Sequence, residues 1–333
     1  MFMAATLTLK LYIALFLVFA IGFGVITTVL FLLGATFYII LVFAVFYFAL
    51  QWYISPTIIR FSARLRYIKD DEMPWLHEIV QDLAKEAKVP VPKIAISKSP
   101  VPNAFVFGRS RKGATLAINQ GLLDTLNHDE VKAVIAHEIG HIKHNDFAVM
   151  TFISFIPMLA MLIAENVLFF GMFGRGRNQN AYAMLIGMAA FLVYLVTELL
   201  TLVVSRTRES LADEYSAYTT QQPELLASAL YKITYAQAAA PQSSASAGST
   251  ERALCISDSY FSGKELIGLD KHIAELKSIL PNISESEIRA ALGKKENGAK
   301  NIMTALFSTH PPTYKRILDL AHIKNEIGKT GKE

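Results

Sequence analysis

The motif His137-Glu138-Ile139-Gly140-His141 contains the residue types that metal-dependent hydrolysis needs. Residues four positions apart lie one above the other on a helix face, so both imidazoles can reach one ion. Glu138 lies one position round the helix, where it can hold and deprotonate a metal-bound water. The preceding residues 131–136 are mostly apolar, as a buried metal helix requires. We therefore interpret the motif as a zinc site and not as an exposed helix carrying two histidines by chance.

A third ligand is required, because a catalytic zinc ion binds three protein ligands and keeps one open position. His144 lies seven residues from His137, which is a rise of about 10 Å on a continuous helix and too far for one ion. Glu209 is the better candidate. Its i+4 neighbour Asp213 shares its helix face and could accept the second N–H of a ligand histidine. Glu214 is a candidate for the third ligand only because it is close to Glu209 in the sequence. The alternative interpretation is that this segment is a solvated helix start, where mixtures of Arg and Glu are common.

The elements that must position these residues can be predicted from spacing and turn residues. The motif helix is predicted from His128 to Asn145, with Asn127 as its N-cap and two acidic residues in its first turn. A second helix is predicted at Pro74–Lys88 from an apolar stripe at helical spacing. Three short strands bounded by Pro, Asn and Gly are predicted at Lys93–Ser97, Ala104–Phe107 and Ala114–Asn119.

The composition indicates a protein that hides apolar surface in lipid. Hydrophobic residues make up 53% of the chain and charged residues 18%, below the share of roughly 25% in globular domains. The mean hydropathy is +0.35. A net charge of +4 is too small to indicate nucleic-acid binding, but it is compatible with anionic lipid headgroups. Cys255 is the only cysteine, which excludes an intrachain disulfide and a cysteine metal cluster.

Four membrane spans are predicted, as two hairpins. No charged residue occurs between Lys10 and Arg60, a stretch long enough for two helices of about 20 residues. A cleaved signal peptide is the alternative for the first span, but its apolar run is long and a second span follows at once. Glu165 and Glu198 interrupt the second hairpin, and carboxylates there usually face a bundle interior or a wet cavity. The predicted spans are residues 11–33, 37–54, 147–170 and 182–204.

Basic residues indicate the orientation of the chain. They cluster where the second and fourth spans end, so both polar segments should face the cytoplasm. Arg175 and Arg177 lie on the opposite side and run against this rule without reversing it. The clustered residues are Arg60, Arg64, Arg66, Lys69, Arg206 and Arg208.

The order of the motifs resembles that of HtpX-type membrane metalloproteases, over nearly the whole chain. The segment Pro102-Asn103-Ala104-Phe105 resembles the active-site edge strand of that family. The other matching segments, in order, are His137 to His141, Ser205-Arg-Thr-Arg-Glu209, Ala212-Asp213, Phe307-Ser-Thr-His310-Pro-Pro and Arg316-Ile317.

The resemblance implies roles for individual residues. Glu209 would be the third zinc ligand and Asp213 a residue that supports the ligands. Asn103 would hold the substrate backbone, with Arg316 also near the substrate. His310 would act in catalysis close to the metal, although a His-Pro-Pro turn is also a plain helix stop.

The fold class expected is mainly α with a small β-sheet: an α+β zincin-like catalytic domain attached to four transmembrane helices. The catalytic domain would be split in sequence, with its two parts separated by the second transmembrane hairpin. The expected segments are 11–54 and 147–204 for the hairpins, and 55–146 and 205–333 for the cytoplasmic protease domain.

The function expected is zinc-dependent endopeptidase activity in the plasma membrane, with one Zn²⁺ per chain. Protein substrates, particularly misfolded membrane proteins, would add a strand to an exposed sheet edge and be cleaved by water that Glu138 activates. A prenyl-protein protease is the nearest alternative, although such enzymes have more spans than the four predicted. A zinc sensor or transporter is an alternative from another class, and it would place ligands within the spans. A purely structural scaffold would give no reason for Glu138.

Overall fold

The structure is a computed structural model that describes residues 37–173, 177–239, 269–270, 272–281 and 310–330. The first predicted span, at residues 11–33, lies outside the described residues. So does the serine- and alanine-rich segment at 242–250, predicted from its composition to be a flexible loop.

The described chain is mainly helical with one small sheet. Its helices are α1 (Phe37–Ser62), α2 (Pro74–Ala87), α3 (Gln120–Thr125), α4 (His128–Lys143), α5 (Asp146–Phe173), α6 (Arg177–Thr220), α7 (Pro223–Ala239), α8 (Ile273–Leu276) and α9 (Thr313–Thr330). Its strands are β1 (Arg66–Tyr67), β2 (Lys93–Ser97), β3 (Ala104–Phe107) and β4 (Thr115–Asn119).

The chain forms two compact units. The first, here called the sheet unit, contains residues 56–148 and the described part of 205–333. The second, the span unit, contains the described part of residues 37–55 together with that of 149–204.

Three described helices are long and apolar enough to cross a bilayer. They include the segments Leu41–Ser62, Asp146–Glu165 and Met184–Thr220. The prediction of a mainly α protein with a small sheet and membrane helices is confirmed. The predicted number of four spans is not, because the first lies outside the described residues.

The sheet has the order β1-β2-β4-β3, so β3 lies at an edge. Strands β2 and β4 are parallel, while β3 runs antiparallel to β4. The Asn119 N–H donates to the Asn103 carbonyl at 2.9 Å, and antiparallel pairing alternates from there. The backbone groups of Ala104 and Val106 therefore point away from β4, toward an edge of the sheet that is open among the described residues. The three predicted strands are confirmed, and the two-residue β1 was not predicted.

Alternating side chains cover the two faces of the sheet. One face, which carries Ile94, Ile96, Leu116 and Ile118, belongs to the main hydrophobic core shared with α2, α4 and α7. The other face carries a second cluster that includes residues from the end of α1 and just after it. This second cluster contains Ala63, Leu65, Ala95, Phe105, Phe107 and Ala117, with Ile59 packed against it.

Helix α4 begins with a capping box and packs closely against α6. The Asn127 side chain accepts from the Glu130 N–H at 2.9 Å, and the Glu130 carboxylate accepts from the Asn127 N–H at 3.0 Å. At Gly140 the helices come so close that an added Cβ would lie 3.3 Å from the Ala212 Cα. Glycine within the motif therefore permits the contact that brings α6 alongside the two histidines.

Candidate metal centre

Three side chains from two helices converge in the sheet unit. His137 and His141 of α4 place their Nε2 atoms 3.1 Å apart. The carboxylate oxygens of Glu209, on α6, lie 3.7 Å from His137 Nε2 and 3.6 Å from His141 Nε2. All three residues are buried. Ligand atoms about 2 Å from one tetrahedral ion lie about 3.4 Å from each other, so these spacings fit a single ion.

Two carboxylates determine which ring nitrogens face the site. His137 Nδ1 lies 2.9 Å from Asp213 Oδ1, and His141 Nδ1 lies 2.5 Å from Asp146 Oδ2. A carboxylate at that distance favours the proton on Nδ1, which leaves the Nε2 lone pair free. Two lone pairs and a carboxylate then point at one position. These groups repel one another unless a cation lies between them, so the donor set fits a divalent metal.

Asp146 and its partner Arg208 were not predicted. Arg208 Nη2 lies 2.8 Å from Asp146 Oδ2, so one carboxylate oxygen contacts both the guanidinium and His141. Asp146 is buried at the first position of α5, five residues after His141. Its position in the sequence was a usable signal, because an acidic residue one short turn after a ligand histidine can fold back onto that ring.

We expect Asp146→Ala to weaken metal binding about 10- to 100-fold, the usual loss when the partner of a ligand histidine is removed. Asp146→Asn should lose less, because the amide oxygen can still accept from His141 Nδ1. Metal affinity measured by competition with a chelating dye would test this. Asp124→Ala, which removes an exposed carboxylate on α3, is the control and should leave affinity unchanged. Equal affinity in Asp146→Ala and the control would contradict the assigned role.

Arg316 of α9 supports the other carboxylate partner. Its Nε and Nη2 donate to the two oxygens of Asp213, each at 2.7 Å, and its Nη1 lies 3.7 Å from Glu209 Oε2. The side chain is 2% exposed. A buried two-bond pair of this kind fixes the Asp213 carboxylate, and through it the His137 ring. The predicted contact of Arg316 with substrate stays a prediction.

Glu138 has the ionisation behaviour that a proton acceptor needs near neutral pH. Burial raises the pKa of its carboxyl to about 7, assisted by the charge of Glu209. His141, Arg316 and a hydrogen bond from the Val106 backbone act in the opposite direction and lower this pKa. The Val106 contact places the carboxylate beside the open edge of β3.

The remaining predicted residues lie at different places. His310 Nδ1 lies 3.2 Å from Glu209 Oε2, so its ring borders the three converging side chains. Asn103 is buried just before β3. His144 lies at the end of α4 with its ring near Tyr215, and Glu214 is exposed. The group of residues able to hold a metal includes neither of the last two.

The segment before β3 is held by several hydrogen bonds. The Gly121 N–H donates to the Ser99 carbonyl at 3.0 Å, and Asn119 Nδ2 donates to the Val101 carbonyl at 3.0 Å. Gln237 of α7 donates from Nε2 to the Pro102 carbonyl at 2.9 Å, across a sequence separation of 135 residues. These bonds fix the approach to Asn103 and β3, and sequence reasoning did not identify Gln237.

Comparison with known proteins gives a consistent family match. Residues 70–324 match peptidase family M48. A protease HtpX homolog of Methanothermobacter thermautotrophicus is 37% identical over 233 residues, which cover 68% of this chain and 86% of that protein. Protease HtpX homolog 2 of Methanosarcina mazei is 32% identical over 289 residues, covering 86% of this chain and 85% of the relative.

A solved structure resembles this fold. The crystal structure of S. mikatae Ste24p matches with a TM-score of 0.53 at 18% identity. The match covers 94% of this chain and 67% of that chain. At this identity the likeness concerns the fold alone.

Proposed function

The chain belongs to peptidase family M48, and we propose that His137, His141 and Glu209 bind one zinc ion used to hydrolyse peptide bonds. The family is zinc-dependent, and the chain is a membrane metalloprotease. The observation that carries the proposal is the convergence of two free Nε2 atoms and one carboxylate on a single position. Because the chain belongs to a peptidase family, an enzyme is favoured over the alternatives of a zinc sensor, a transporter and a structural scaffold.

A zinc ion held there would polarise the scissile carbonyl and make a water molecule more acidic. Glu138 then takes the proton from the attacking water and delivers it to the leaving amine. Burial raises the pKa of this carboxyl and a bound cation would lower it, and the two opposing effects favour a carboxylate that can both gain and lose a proton. His310 stands beside Glu209, where it stabilises the negative charge that develops on the carbonyl oxygen.

We propose that substrate pairs with the open edge of β3. The backbone groups of Ala104 and Val106 point toward that edge, and Val106 lies beside Glu138. An extended peptide adding there would be recognised mainly through its main chain, and the Asn103 side chain would help to hold that main chain. Main-chain recognition gives broad specificity, which suits a protease that removes misfolded membrane proteins.

The proposed activity is tested by incubating the purified full chain with casein, with and without a chelator. Cleavage that stops on chelation and returns with stoichiometric Zn²⁺ is the expected result. Cleavage that persists after complete removal of metal would contradict the proposal. Activity restricted to prenylated C-terminal peptides would instead favour the prenyl-protein protease alternative.

The pH dependence of cleavage should show an acidic limb with its midpoint at or below about 7. Cleavage needs the ionised form of Glu138, which is lost as the pH falls through its pKa, and a bound cation shifts that midpoint downward. The measurement is kcat/KM from pH 5 to 9, with metal content determined at each pH to separate loss of zinc. The exposed Glu214→Gln variant should give an unchanged profile, and a midpoint well above 7 would contradict the role of Glu138.

We further propose that the enzyme resides in the plasma membrane with the sheet unit in the cytoplasm, because basic residues follow the second and fourth predicted spans. In a Cys255→Ser background, single cysteines at Lys112 and Lys324 should both be labelled from the cytoplasmic side. Labelling from opposite sides, or from outside, would refute this orientation.

A further inference from the structure

We propose that this site selects bonds within about ten residues of the end of a substrate's own membrane span. Distance from the bilayer would then decide the cleavage position more than sequence does. This inference rests on the proposed peptidase function and specifies its substrates as juxtamembrane segments in extended conformation.

His141 lies near the beginning of a candidate span. Its ring contacts Asp146, which is the first residue of α5 and of the candidate span Asp146–Glu165. A ligand histidine is thus one side-chain contact away from the residue at which a membrane helix begins. The metal position lies correspondingly close to the end of an apolar helix.

Glu209 lies shortly after an apolar run on the same helix. It follows Val204, the last residue of an apolar run in α6, by five residues of continuous helix. Five residues correspond to a rise of about 8 Å. Arg206 and Arg208 occupy the intervening turn, which is the composition expected at the level of the lipid headgroups.

The edge strand β3 packs against residues that follow another candidate span. Phe105 and Phe107 of β3 pack in one cluster with Ala63 and Leu65, directly after the end of α1. The candidate span Leu41–Ser62 ends immediately before those two residues. The strand proposed to bind substrate therefore packs against the residues that directly follow the apolar part of α1.

Side chains around the end of α1 have the character of a bilayer interface. The Arg60 guanidinium lies 5.0 Å from the Tyr67 ring centroid, and Lys93 Nζ lies 5.9 Å from the same centroid. Phe61 is 73% exposed. Tyr rings are enriched at the headgroup level of membranes, and Lys and Arg are enriched where spans end on the cytoplasmic side. The end of α1 and the adjoining face of β1 are thus suited to contact anionic lipid.

These positions set a length scale. An extended chain rises about 3.3 Å per residue, so about three residues cover the 8 Å estimated along α6. Pairing along the four residues of β3 brings the total to about seven residues, which lies within the proposed limit of about ten. A substrate anchored in the same bilayer presents nearby bonds at high effective concentration, which falls roughly as the −3/2 power of tether length. Moving the cleavable bond from about 8 to about 40 residues after the end of the substrate's span should therefore slow cleavage about tenfold.

The test uses the full-length enzyme in phospholipid vesicles with a designed substrate that has one apolar span and an unstructured tail. One cleavable segment is placed 5, 10, 20 or 40 residues after the span by Gly-Ser spacers. Rates and cleavage positions are measured by mass spectrometry. We expect the fastest cleavage at 5 or 10 residues and about tenfold slower cleavage at 40.

The matched control is the same set of tails without the span, which should be cleaved at rates independent of spacer length. Equal rates for all anchored spacers, or a maximum at 40 residues, would overturn the inference. If soluble tails are cleaved by the wild type and not by Glu138→Gln, the peptidase proposal stands even when the distance rule fails. If neither anchored nor soluble tails are cleaved, the peptidase proposal itself fails.

Discussion

Glu209→Ala is expected to lose most of its bound zinc and nearly all of its peptidase activity. The carboxylate of Glu209 is the only one of the three converging donors contributed by α6, at 3.7 and 3.6 Å from the two Nε2 atoms. Removing it leaves two ligands on α4, and two ligands are too few for the three-ligand site of a catalytic zinc ion. Zinc content of detergent-purified protein and cleavage of casein are the two measurements.

Two further variants serve as comparisons for Glu209→Ala. His144→Ala removes an exposed imidazole near the site and should keep both zinc and activity. Asp213→Ala should fall between the two, because loss of a residue that orients a ligand histidine costs about 10- to 100-fold in affinity or activity. Full zinc in the Glu209 variant together with loss in the His144 variant would overturn the ligand assignment.

The second large effect is expected for Glu138→Gln, which should retain its zinc and lose cleavage by about 100- to 10,000-fold. Glutamine has nearly the same shape, so the buried side chain still fits. Its amide cannot take a proton from the attacking water, and the ligand set is unchanged. Metal analysis and kcat should be measured on the same preparation.

Two outcomes of the Glu138→Gln experiment would contradict the assigned role. Undiminished kcat at equal zinc content would refute the proton-transfer role. Loss of zinc along with activity would instead show that Glu138 contributes to metal binding or to the fold. Glu214→Gln makes the same chemical change at an exposed carboxylate and serves as the control, with activity and zinc at the wild-type level.

Local patterns in the sequence determined much of the scaffold. Helix α4 begins at His128 with Asn127 as its N-cap, as predicted, and strands at Lys93–Ser97 and Ala104–Phe107 have the predicted bounds. These features depend on neighbouring residues, since caps, periodicity and turn residues act within a few positions of each other. The spacing of His137 and His141 likewise needs only the helix repeat to bring the two rings together.

The contacts that complete the site depend on tertiary structure. Arg316 meets Asp213 across 103 residues, and Gln237 meets Pro102 across 135. No local pattern encodes such pairs, because they follow from how α6, α7 and α9 pack around α4. The edge position of β3 is also a property of the whole sheet, since the order β1-β2-β4-β3 places the third strand outside the fourth.

The role of Asp146 depends both on its position in the sequence and on the tertiary structure. The sequence places an acidic residue five positions after His141, but a straight continuation of α4 would carry it past the ligand ring. The structure ends α4 at Lys143 and begins α5 at Asp146, with Asn145 at φ 59° between the two helices. That left-handed residue redirects the chain, and the carboxylate comes to 2.5 Å from the imidazole. Sequence alone thus determined the residue types of the candidate ligands, while tertiary structure decided which residues orient them, because orientation depends on how the chain turns.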